Sequence, residues 1–365
     1  MDLREERQEK LIRLRRLMSE TQVQAIWLRR LSSFAWLTAG ASDYVNIADE
    51  HGIASILITP DQATIFTNNI EAQRLAEEEG LENAGFQWRI TPWHESADPL
   101  TTLPARTSVG CDEPFPETHN LAGPISALRS RLLPSETERM RDVGRRCGLA
   151  MNAALPQISP GMTETKIAGI LAQEAYAQGV TPIVNLIAVD ERVLQYRHPI
   201  PTEKKMTRYA MLVLSGRRYG LIASVTRFVH FGPLPKDLRQ RAEAVARVDA
   251  TLIAHTRPGR RLAEIFQAGV EAYTQVGYRK EWLHHHQGGV SGYEGREEKG
   301  RPASQSIVHE GQAYAWNPSI AGAKSEDTII VGPADNEVIT ITPNLPALTV
   351  RVNDQNFVRP AIWER

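Results

Sequence analysis

The sequence predicts an α+β protein built from two domains. With 365 residues, the chain is too long for a single ordinary hydrophobic core, and two cores of normal size fit this length. Short apolar runs alternate with helical patterns in the first third, whereas amphipathic helices and strand-like runs fill the remainder. Ser135 and Glu138 have the spacing of a capping box and predict a helix start at this point. We therefore expect a first domain at 1–133 and a second at 134–365.

The first domain is predicted to be an α/β unit. Leucines at positions 3, 11, 14 and 17 recur at roughly helical spacing and predict an amphipathic first helix that packs on its own domain. The runs QAIWL, ASILIT and ATIFT predict strands. The amphipathic run NNIEAQRLAEEEG predicts a helix that ends at Gly80.

The second domain is predicted to place helices over a curved sheet. The run TETKIAGILAQEAYAQG predicts a helix that ends at Gly179, and residues 236–256 and 261–276 have the pattern of two more amphipathic helices. Strands are predicted for YAMLVLSG and YGLIASVTRFV, which flank an arginine-containing turn. DTIIVG and EVITIT predict further strands near the end of the chain.

Composition narrows the classes of function. The 42 basic and 43 acidic residues give a formal net charge of -1, so no charge excess would attract nucleic acid or an anionic membrane. A small neutral or zwitterionic ligand suits this balance better. Cys111 and Cys147 are too few for a disulfide framework, which is typical of a reducing cytosol. The sequence shows neither a signal peptide nor a membrane span, so we expect a soluble cytoplasmic protein.

The sequence carries none of the generic catalytic motifs: there is no glycine-rich phosphate loop before a lysine, no paired-histidine zinc helix and no serine elbow. Four stretches stand out instead, in the order LQYRHPIPTEKK, VLSGRRYGLIASVTR, HHHQGGVSGYEGRE and AYAWNPSIAGAKSEDTIIV. Together they resemble the creatinase, aminopeptidase P and prolidase family. A weaker similarity in the run FAWLTAG extends the resemblance over nearly the whole chain. The resemblance implies a creatinase-like N-terminal α/β domain followed by a C-terminal pita-bread domain.

The same resemblance identifies metal ligands that are missing. The family's first metal-binding stretch, Asp-x-Gly-x-x-x-x-Gly-Tyr-x-x-Asp-x-Thr-Arg, aligns without a gap from Val213 to Arg227. Val213 and Ser224 stand where the two aspartates would be. His286 matches the family's histidine ligand, because Gly289 follows it at the family's spacing.

Of the remaining motif positions, two are altered and one is kept. The family's later histidine is Tyr293, its Glu-Pro is an Asn-Pro at Asn317, and its final ligand position holds Glu326. Only His286 and Glu326 are kept among the five ligand positions. Because a bridged metal pair needs anionic oxygens between the ions, we expect no dinuclear metal centre and no cofactor. A single weak metal held by His286, Glu326 and Asn317 or Ser224 is a minority alternative.

Creatinase, within this family, hydrolyses a C–N bond without metal and uses a histidine in the stretch before the first ligand motif. His198 lies in the matching stretch, and a neutral imidazole can accept a proton from water and return it to the leaving nitrogen. The resemblance thus implies that His198 is the general acid/base, with His286 and Glu326 orienting water or substrate. The substrate-binding candidates are Ser224, Arg227, Tyr293, Asn317, Lys324 and Tyr44.

Plainer structural roles for these residues stay open. His198 could be an exposed loop histidine, and we expect His286 alone to point inward from the run of three histidines. A buried Glu326 must be paired, and Lys324 and Arg227 are its candidate partners in a structural ion pair.

The sequence therefore predicts a metal-independent hydrolase, or a lyase, that acts on a C–N bond of a small amidino, amide or imino-acid compound. The first alternative is a non-catalytic pita-bread module that binds a peptide or protein, as some relatives with this fold do. The second alternative is an Xaa-Pro peptidase with one weakly held metal. The resemblance also implies a homodimer, and neither nucleic acid nor membrane is expected as a partner.

Overall fold

The computed structural model describes residues 1–95, 98–103 and 108–365. The chain forms two compact units. Unit 1 contains Met1–Glu136 and Tyr219–Leu221, and unit 2 contains Thr137–Arg218 and Ile222–Arg365. The predicted mixture of helices and strands is confirmed in both units.

Unit 1 has a mixed sheet of strands in the order β4-β3-β2-β1-β5-β6. The pairs β1–β2 and β2–β3 are antiparallel, whereas β3–β4, β1–β5 and β5–β6 are parallel. The three predicted strands correspond to β1, β2 and β3. The elements of this unit are α1 (Leu3–Thr21), β1 (Ala25–Arg30), α2 (Leu31–Leu37), β2 (His51–Ile58), β3 (Ala63–Asn68), α3 (Ala72–Glu77), β4 (Gln87–Thr91), β5 (Val109–Cys111), β6 (His119–Asn120) and α4 (Ala122–Arg129).

Helix α1 confirms the predicted amphipathic helix. Leu14 and Leu17 are buried, whereas Leu3 is half-exposed. The buried face also carries Lys10, whose ammonium group lies 2.5 Å from the carboxylate of Glu6. The helix therefore packs through a fully buried ion pair as well as through leucines.

The predicted capping box of Ser135 and Glu138 is wrong. The helix begins one residue before Ser135, because a proline at the first helical position favours the start there. The hydroxyl of Ser135 donates to the carboxylate of Glu6 at 2.7 Å. The carboxylate of Glu136 accepts the backbone N–H of Leu133 at 2.8 Å instead.

Unit 2 holds most of the predicted functional residues, and its predicted long helices and central strands are confirmed. Helix α5 (Pro134–Ala154) begins at the predicted start of the second domain. The remaining helices are α6 (Glu164–Ala177), α7 (Glu191–Gln195), α8 (Lys236–His255) and α9 (Leu262–Gln275). The strands are β7 (Thr181–Val189), β8 (Tyr209–Arg218), β9 (Leu221–His230), β10 (Gly288–Ser291), β11 (Glu298–Lys299), β12 (Ala313–Trp316), β13 (Ser319–Ile320), β14 (Ala323–Lys324), β15 (Asp327–Ile330), β16 (Glu337–Val338), β17 (Ala347–Val352), β18 (Gln355–Pro360) and β19 (Trp363–Glu364).

These strands form two main sheets and two hairpins. One sheet has the order β19-β9-β8-β7, and the other has the order β11-β10-β12-β15-β16 with antiparallel pairs. Strands β13–β14 and β17–β18 are separate antiparallel hairpins. Helices α8 and α9 contribute Val248, Leu252 and Ile265 to an apolar core that includes Tyr314 and Trp316 of β12. Packing on α8 and α9 thus holds the second sheet, which carries the residues around β10 and β15.

Among the described residues, the helices are either too short or too polar to cross a lipid bilayer.

Candidate functional site

The β8–β9 hairpin carries the first two predicted ligand positions. Val213 and Ser215 lie on one face of β8, because side chains alternate along a strand. Val213 is buried in an apolar cluster with Met211 and Phe228. The hydroxyl of Ser215 lies 2.9 Å from that of Ser224 on β9. The first position therefore contributes apolar contacts, and the second contributes a neutral hydroxyl group.

Hydrogen bonds join β9 to the segment that enters β15. The N–H of Thr226 donates to the carbonyl of Glu326 at 3.2 Å. Two residues earlier, the N–H of Ser224 donates to the hydroxyl of Thr328 at 2.8 Å, and this hydroxyl donates back to the Ser224 carbonyl. These bonds place Ser224 and Glu326 on adjacent segments, although they are far apart in sequence.

The carboxylate of Glu326 is fully engaged by neighbouring donors. Its Oε2 atom lies 2.7 Å from Nζ of Lys324 and accepts the hydroxyl of Thr226 at 2.5 Å. Its Oε1 atom lies 3.2 Å from the guanidinium of Arg296. Burial would raise the pKa of Glu326, but the charges of Lys324 and Arg296 lower it to about 2. Glu326 is therefore ionised at neutral pH and paired with two cations.

Arg296 lies between two of the predicted ligand positions. One terminal nitrogen of its guanidinium is 3.4 Å from the hydroxyl of Ser224, and the other faces Glu326. Its Nε atom is buried and has no hydrogen-bond partner among the described residues. Burial lowers the pKa of both Arg296 and Lys324, and the charge of Glu326 opposes this effect. Two buried cations thus share one carboxylate.

Three histidine side chains form a second group. His198 and His286 were predicted site residues, and His285 was not. The Nε2 atoms of His198 and His285 lie 3.1 Å apart. The ring of His286 has its centroid 4.7 Å from that of His285 and 5.6 Å from that of His198. His198 is exposed, His286 is half-buried and His285 is buried. We refer to His198, His285 and His286 as the histidine cluster.

A network of buried side chains fixes the ring of His285. Its Nδ1 atom lies 3.1 Å from the hydroxyl of Ser319. The hydroxyl of Tyr273 accepts the N–H of Ser319 and contacts the amide of Gln287, and that amide donates to the carbonyl of His285. The expectation that His286 alone points inward is therefore wrong, because His285 is the more buried and more fully bonded residue. Its neighbour His284 is exposed.

The members of the histidine cluster are neutral at pH 7. Burial lowers the pKa of His285 well below its usual range, with Lys324 as the next cause. Burial and the charge of Arg296 lower the pKa of His286 to about 3. Burial and Lys324 also lower the pKa of His198. Each ring therefore has one nitrogen that can accept a hydrogen bond.

The motif glycine of β10 is required by a close backbone approach. A Cβ atom on Gly289 would lie 2.1 Å from the carbonyl oxygen of Glu298 on β11. The glycine thus permits the pairing of β10 with β11 and fixes the position of the histidines that precede this strand.

The predicted ligand positions do not fit a dinuclear metal centre. Val213 offers no donor atom, and Ser224 and Asn317 offer neutral oxygens where a metal pair needs anionic ones. The carboxylate of Glu326 is occupied by two side-chain cations, whose charges would repel a metal ion. His286 keeps an imidazole, and the buried Nδ1 atom of that ring lacks a partner among the described residues.

The remaining predicted residues have different environments. Arg227 is buried and pairs with Asp327 at 2.7 Å, so Asp327 rather than the carboxylate of Glu326 is its ionic partner. Tyr293 is buried at the turn after β10. Asn317 is buried, and its Oδ1 atom has no partner among the described residues. Tyr44 belongs to unit 1 and follows helix α2.

Sequence reasoning missed Arg296 and His285. Arg296 lies in the stretch HHHQGGVSGYEGRE that was singled out, but nothing in its spacing indicated an ion pair with Glu326. The available signal in the sequence is an arginine next to a motif that has lost acidic ligands. The loss of their negative charge changes which cations can lie at these ligand positions. His285 could be found only from the alternation of exposed and buried positions through the run of histidines.

Comparisons with known proteins agree with this architecture. Residues 138–333 match the family model described as metallopeptidase family M24. A comparison with curated proteins finds no match. Among solved structures, the prolidase from Pyrococcus horikoshii is 18% identical with a TM-score of 0.79, covering 92% of this chain and 98% of that chain. The Xaa-Pro dipeptidase from Bacillus anthracis is 21% identical with a TM-score of 0.77, covering 92% of this chain and 98% of that chain.

A protein of another description has a similar fold. The N-terminal domain of the FACT complex subunit SPT16 from Cicer arietinum is 13% identical with a TM-score of 0.70, covering 94% of this chain and 97% of that chain. At these identities the solved structures show a shared fold and carry no statement about the reaction. The predicted fold, with its pita-bread domain, is confirmed. Because the matching model spans more than half of the residues, the chain belongs to metallopeptidase family M24.

Proposed function

We propose that this chain is a metal-independent hydrolase of a C–N bond in a small amidino, amide or imino-acid compound, with His198 as the general acid/base. The observation that supports this most is the pairing of Glu326 with Arg296 and Lys324. These side chains place fixed positive charge at the positions where a metal would need free anionic ligands. Fixed charges that face a developing negative charge can lower a reaction barrier without a metal ion.

In this proposal His198 moves the proton. Its imidazole is neutral, exposed to solvent and hydrogen-bonded to His285 through Nε2. Water attacks the carbon of the scissile bond while His198 accepts one of the water protons, so that a C–O bond forms. The C–N bond then breaks, its electron pair stays on nitrogen, and His198 returns the proton to that nitrogen. General acid/base catalysis of this kind contributes about 10²- to 10⁴-fold in rate.

The other side chains bind and orient. Arg296 and Lys324 stabilise negative charge on the substrate, and Glu326 holds these two cations in place rather than orienting water. His286 and Asn317 each have a buried polar atom without a partner among the described residues, which makes them candidates for hydrogen bonds to the substrate.

A non-catalytic binding module is the second candidate function. The loss of anionic ligands and the fold shared with the FACT complex subunit SPT16 domain favour it. In this second candidate function, the exposed His198 has no catalytic role. The two functions differ in whether the chain turns over any small molecule.

The test is a turnover screen with small amidino, amide and imino-acid compounds. Xaa-Pro dipeptides belong in the same screen, because prolidases and an Xaa-Pro dipeptidase share the fold. Any activity should survive chelator, and His198→Ala should lower it by about 10²- to 10⁴-fold. His284→Ala is the matched control, since this neighbouring histidine is exposed.

Two outcomes would contradict the proposal. Full activity of His198→Ala would remove its proposed role. Loss of wild-type activity in chelator, with recovery on adding Mn²⁺, would show that a metal mechanism persists. If the full screen gives no turnover and a pull-down with peptides gives specific binding, the second candidate function is correct.

We also propose that the chain forms a homodimer in the cytoplasm. The formal net charge of -1 provides little repulsion between copies. Light scattering at micromolar concentration should give twice the mass of the chain, and a monomeric mass would contradict this.

A further inference from the structure

The histidine cluster has the geometry of a metal site that differs from the family's carboxylate-rich centre. One candidate ligand atom from each of His198, His285 and His286 lies within 4.8 Å of the others. In tetrahedral zinc sites with Zn–N bonds of about 2.0–2.1 Å, two ligand nitrogens lie about 3.3 Å apart. The 3.1 Å separation of Nε2 in His198 and His285 already matches this spacing. The ligand atom of His286 lies within 4.8 Å of the other two and must move closer to complete a set of three.

Neighbouring groups orient these rings as outer partners do in metal sites. The hydroxyl of Ser319 contacts Nδ1 of His285 at 3.1 Å, which directs Nε2 toward His198. Ser319 is itself held by the buried hydroxyl of Tyr273. The Nδ1 atom of His286 is buried without a partner among the described residues, so a ligand could complete its bonding. The exposed His198 leaves an entry path from solvent.

The charges around the cluster moderate its affinity. Lys324, Arg296, Lys299 and Arg197 repel a cation, whereas Glu326 attracts one. Glu326 forms ion pairs with Lys324 and Arg296, which offsets part of their repulsion. The hydrogen bond between Nε2 of His198 and Nε2 of His285 holds one proton, which must leave this position before both atoms can bind a metal ion. Binding should therefore be weaker than at a structural zinc site but measurable.

We propose that the histidine cluster binds a single late first-row metal ion, with Zn²⁺ as the reference ion. Imidazole ligands suit Zn²⁺, Cu²⁺ and Ni²⁺, whereas Mg²⁺ and Mn²⁺ prefer carboxylate oxygens. The bound ion occupies the lone pair of His198, so it blocks proton transfer and inhibits turnover. This inhibition rests on the proposed function, whereas binding of the ion does not.

The direct test is calorimetric titration of the chelator-treated protein with Zn²⁺, followed by visible spectroscopy with Co²⁺ in its place. We expect one ion per chain and the absorption of a tetrahedral cobalt site. Loss of an outer hydrogen-bond partner typically weakens metal binding by about 10- to 100-fold, so His198→Ala and His286→Ala should each weaken it by at least that much. His284→Ala is the matched control and should bind Zn²⁺ as the wild type does.

Folding does not limit the test with His198→Ala, because His198 is exposed and its replacement removes few packing contacts. Mn²⁺ should give no heat of binding at concentrations where Zn²⁺ saturates. Absence of Zn²⁺ binding to the wild type, or equal binding by His198→Ala, would overturn the inference.

The activity assay separates this inference from the proposed function. Reversible inhibition by Zn²⁺ that chelator relieves supports both. Zn²⁺ binding together with loss of activity in chelator would leave the metal site standing and overturn the metal-independent function. Chelator-resistant activity without Zn²⁺ binding would support the metal-independent function and overturn the inferred metal site.

Discussion

Two buried ionic networks of unit 2 differ in charge balance. The first pairs the guanidinium of Arg359 with Asp249 at 2.7 Å and with Asp327 at 2.6 Å. Arg227 also belongs to this network, because its guanidinium pairs with Asp327 at 2.7 Å. We call these four residues the balanced network, because two arginines face two aspartates. Its donors and acceptors are nearly all bonded, with the Oδ1 atom of Asp249 as the exception.

The second network consists of Arg296, Lys324 and Glu326, and we call it the cation-rich network. Two cations share one carboxylate, and the Nε atom of Arg296 lacks a partner among the described residues. An unbalanced buried charge costs stability unless something compensates for it. The balanced network is therefore interpreted as structural, and the cation-rich network as a site that an anionic substrate group or transition state completes.

The largest expected effect comes from breaking the balanced network. Arg359→Met leaves the buried Asp249 without a cation, whereas Asp327 keeps Arg227. Loss of one partner of a buried pair costs about 3–5 kcal/mol. The free energy of unfolding, measured with urea, should fall by this amount. The control is Arg351→Met, whose exposed pair with Asp354 contributes about 0–1 kcal/mol. Equal effects of the two changes would contradict the structural role of the balanced network.

A smaller effect is expected when the cation-rich network loses its carboxylate. Glu326→Gln keeps the shape but leaves Lys324 and Arg296 without an anion, which should cost about 1–3 kcal/mol. The cost is limited because Lys324, whose pKa burial already lowers, can release its proton. Urea unfolding of Glu326→Gln beside Glu337→Gln, an exposed control, measures it. A loss as large as that of Arg359→Met would mean that both networks are structural.

The smallest effect on stability should follow removal of one excess cation. Arg296→Met leaves Lys324 and Glu326 as a balanced pair, so the free energy of unfolding should change by less than about 1 kcal/mol. Turnover of any substrate found in the screen should nevertheless fall by about 10²- to 10³-fold, as for loss of a preorganised electrostatic group. Unfolding in urea and steady-state kinetics measure the two effects. Strong destabilisation with unchanged turnover would contradict the functional role.

The contrast between the networks also shows how far sequence reasoning reached. The hairpin of β8 and β9, the long helices and the order of the motifs could be predicted, because hydrophobic periodicity and turn residues are local signals. His198, His286 and Glu326 could be singled out from motif spacing. The pairing of Arg296 with Glu326 could not, since it depends on where distant segments meet in the fold.

Local signals also failed where several solutions compete. Ser135 had the spacing of an N-cap, but the proline before it starts the helix earlier and the hydroxyl bonds to Glu6. Arg227 was a candidate partner of Glu326, yet the adjacent Asp327 takes its guanidinium. In the second case two neighbouring carboxylates offered the same chemistry, and packing selected Asp327.

Metal content after equilibration with Mn²⁺ tests the central claim most directly. This claim is that side-chain cations lie where a dinuclear metal centre would need anionic ligands. The protein is incubated with excess Mn²⁺, freed of unbound metal by gel filtration and examined by elemental analysis. We predict no Mn²⁺ above background in the wild type, since Val213, Ser224 and Asn317 provide no anionic oxygen. Two Mn²⁺ ions per chain, retained through gel filtration, would contradict the account.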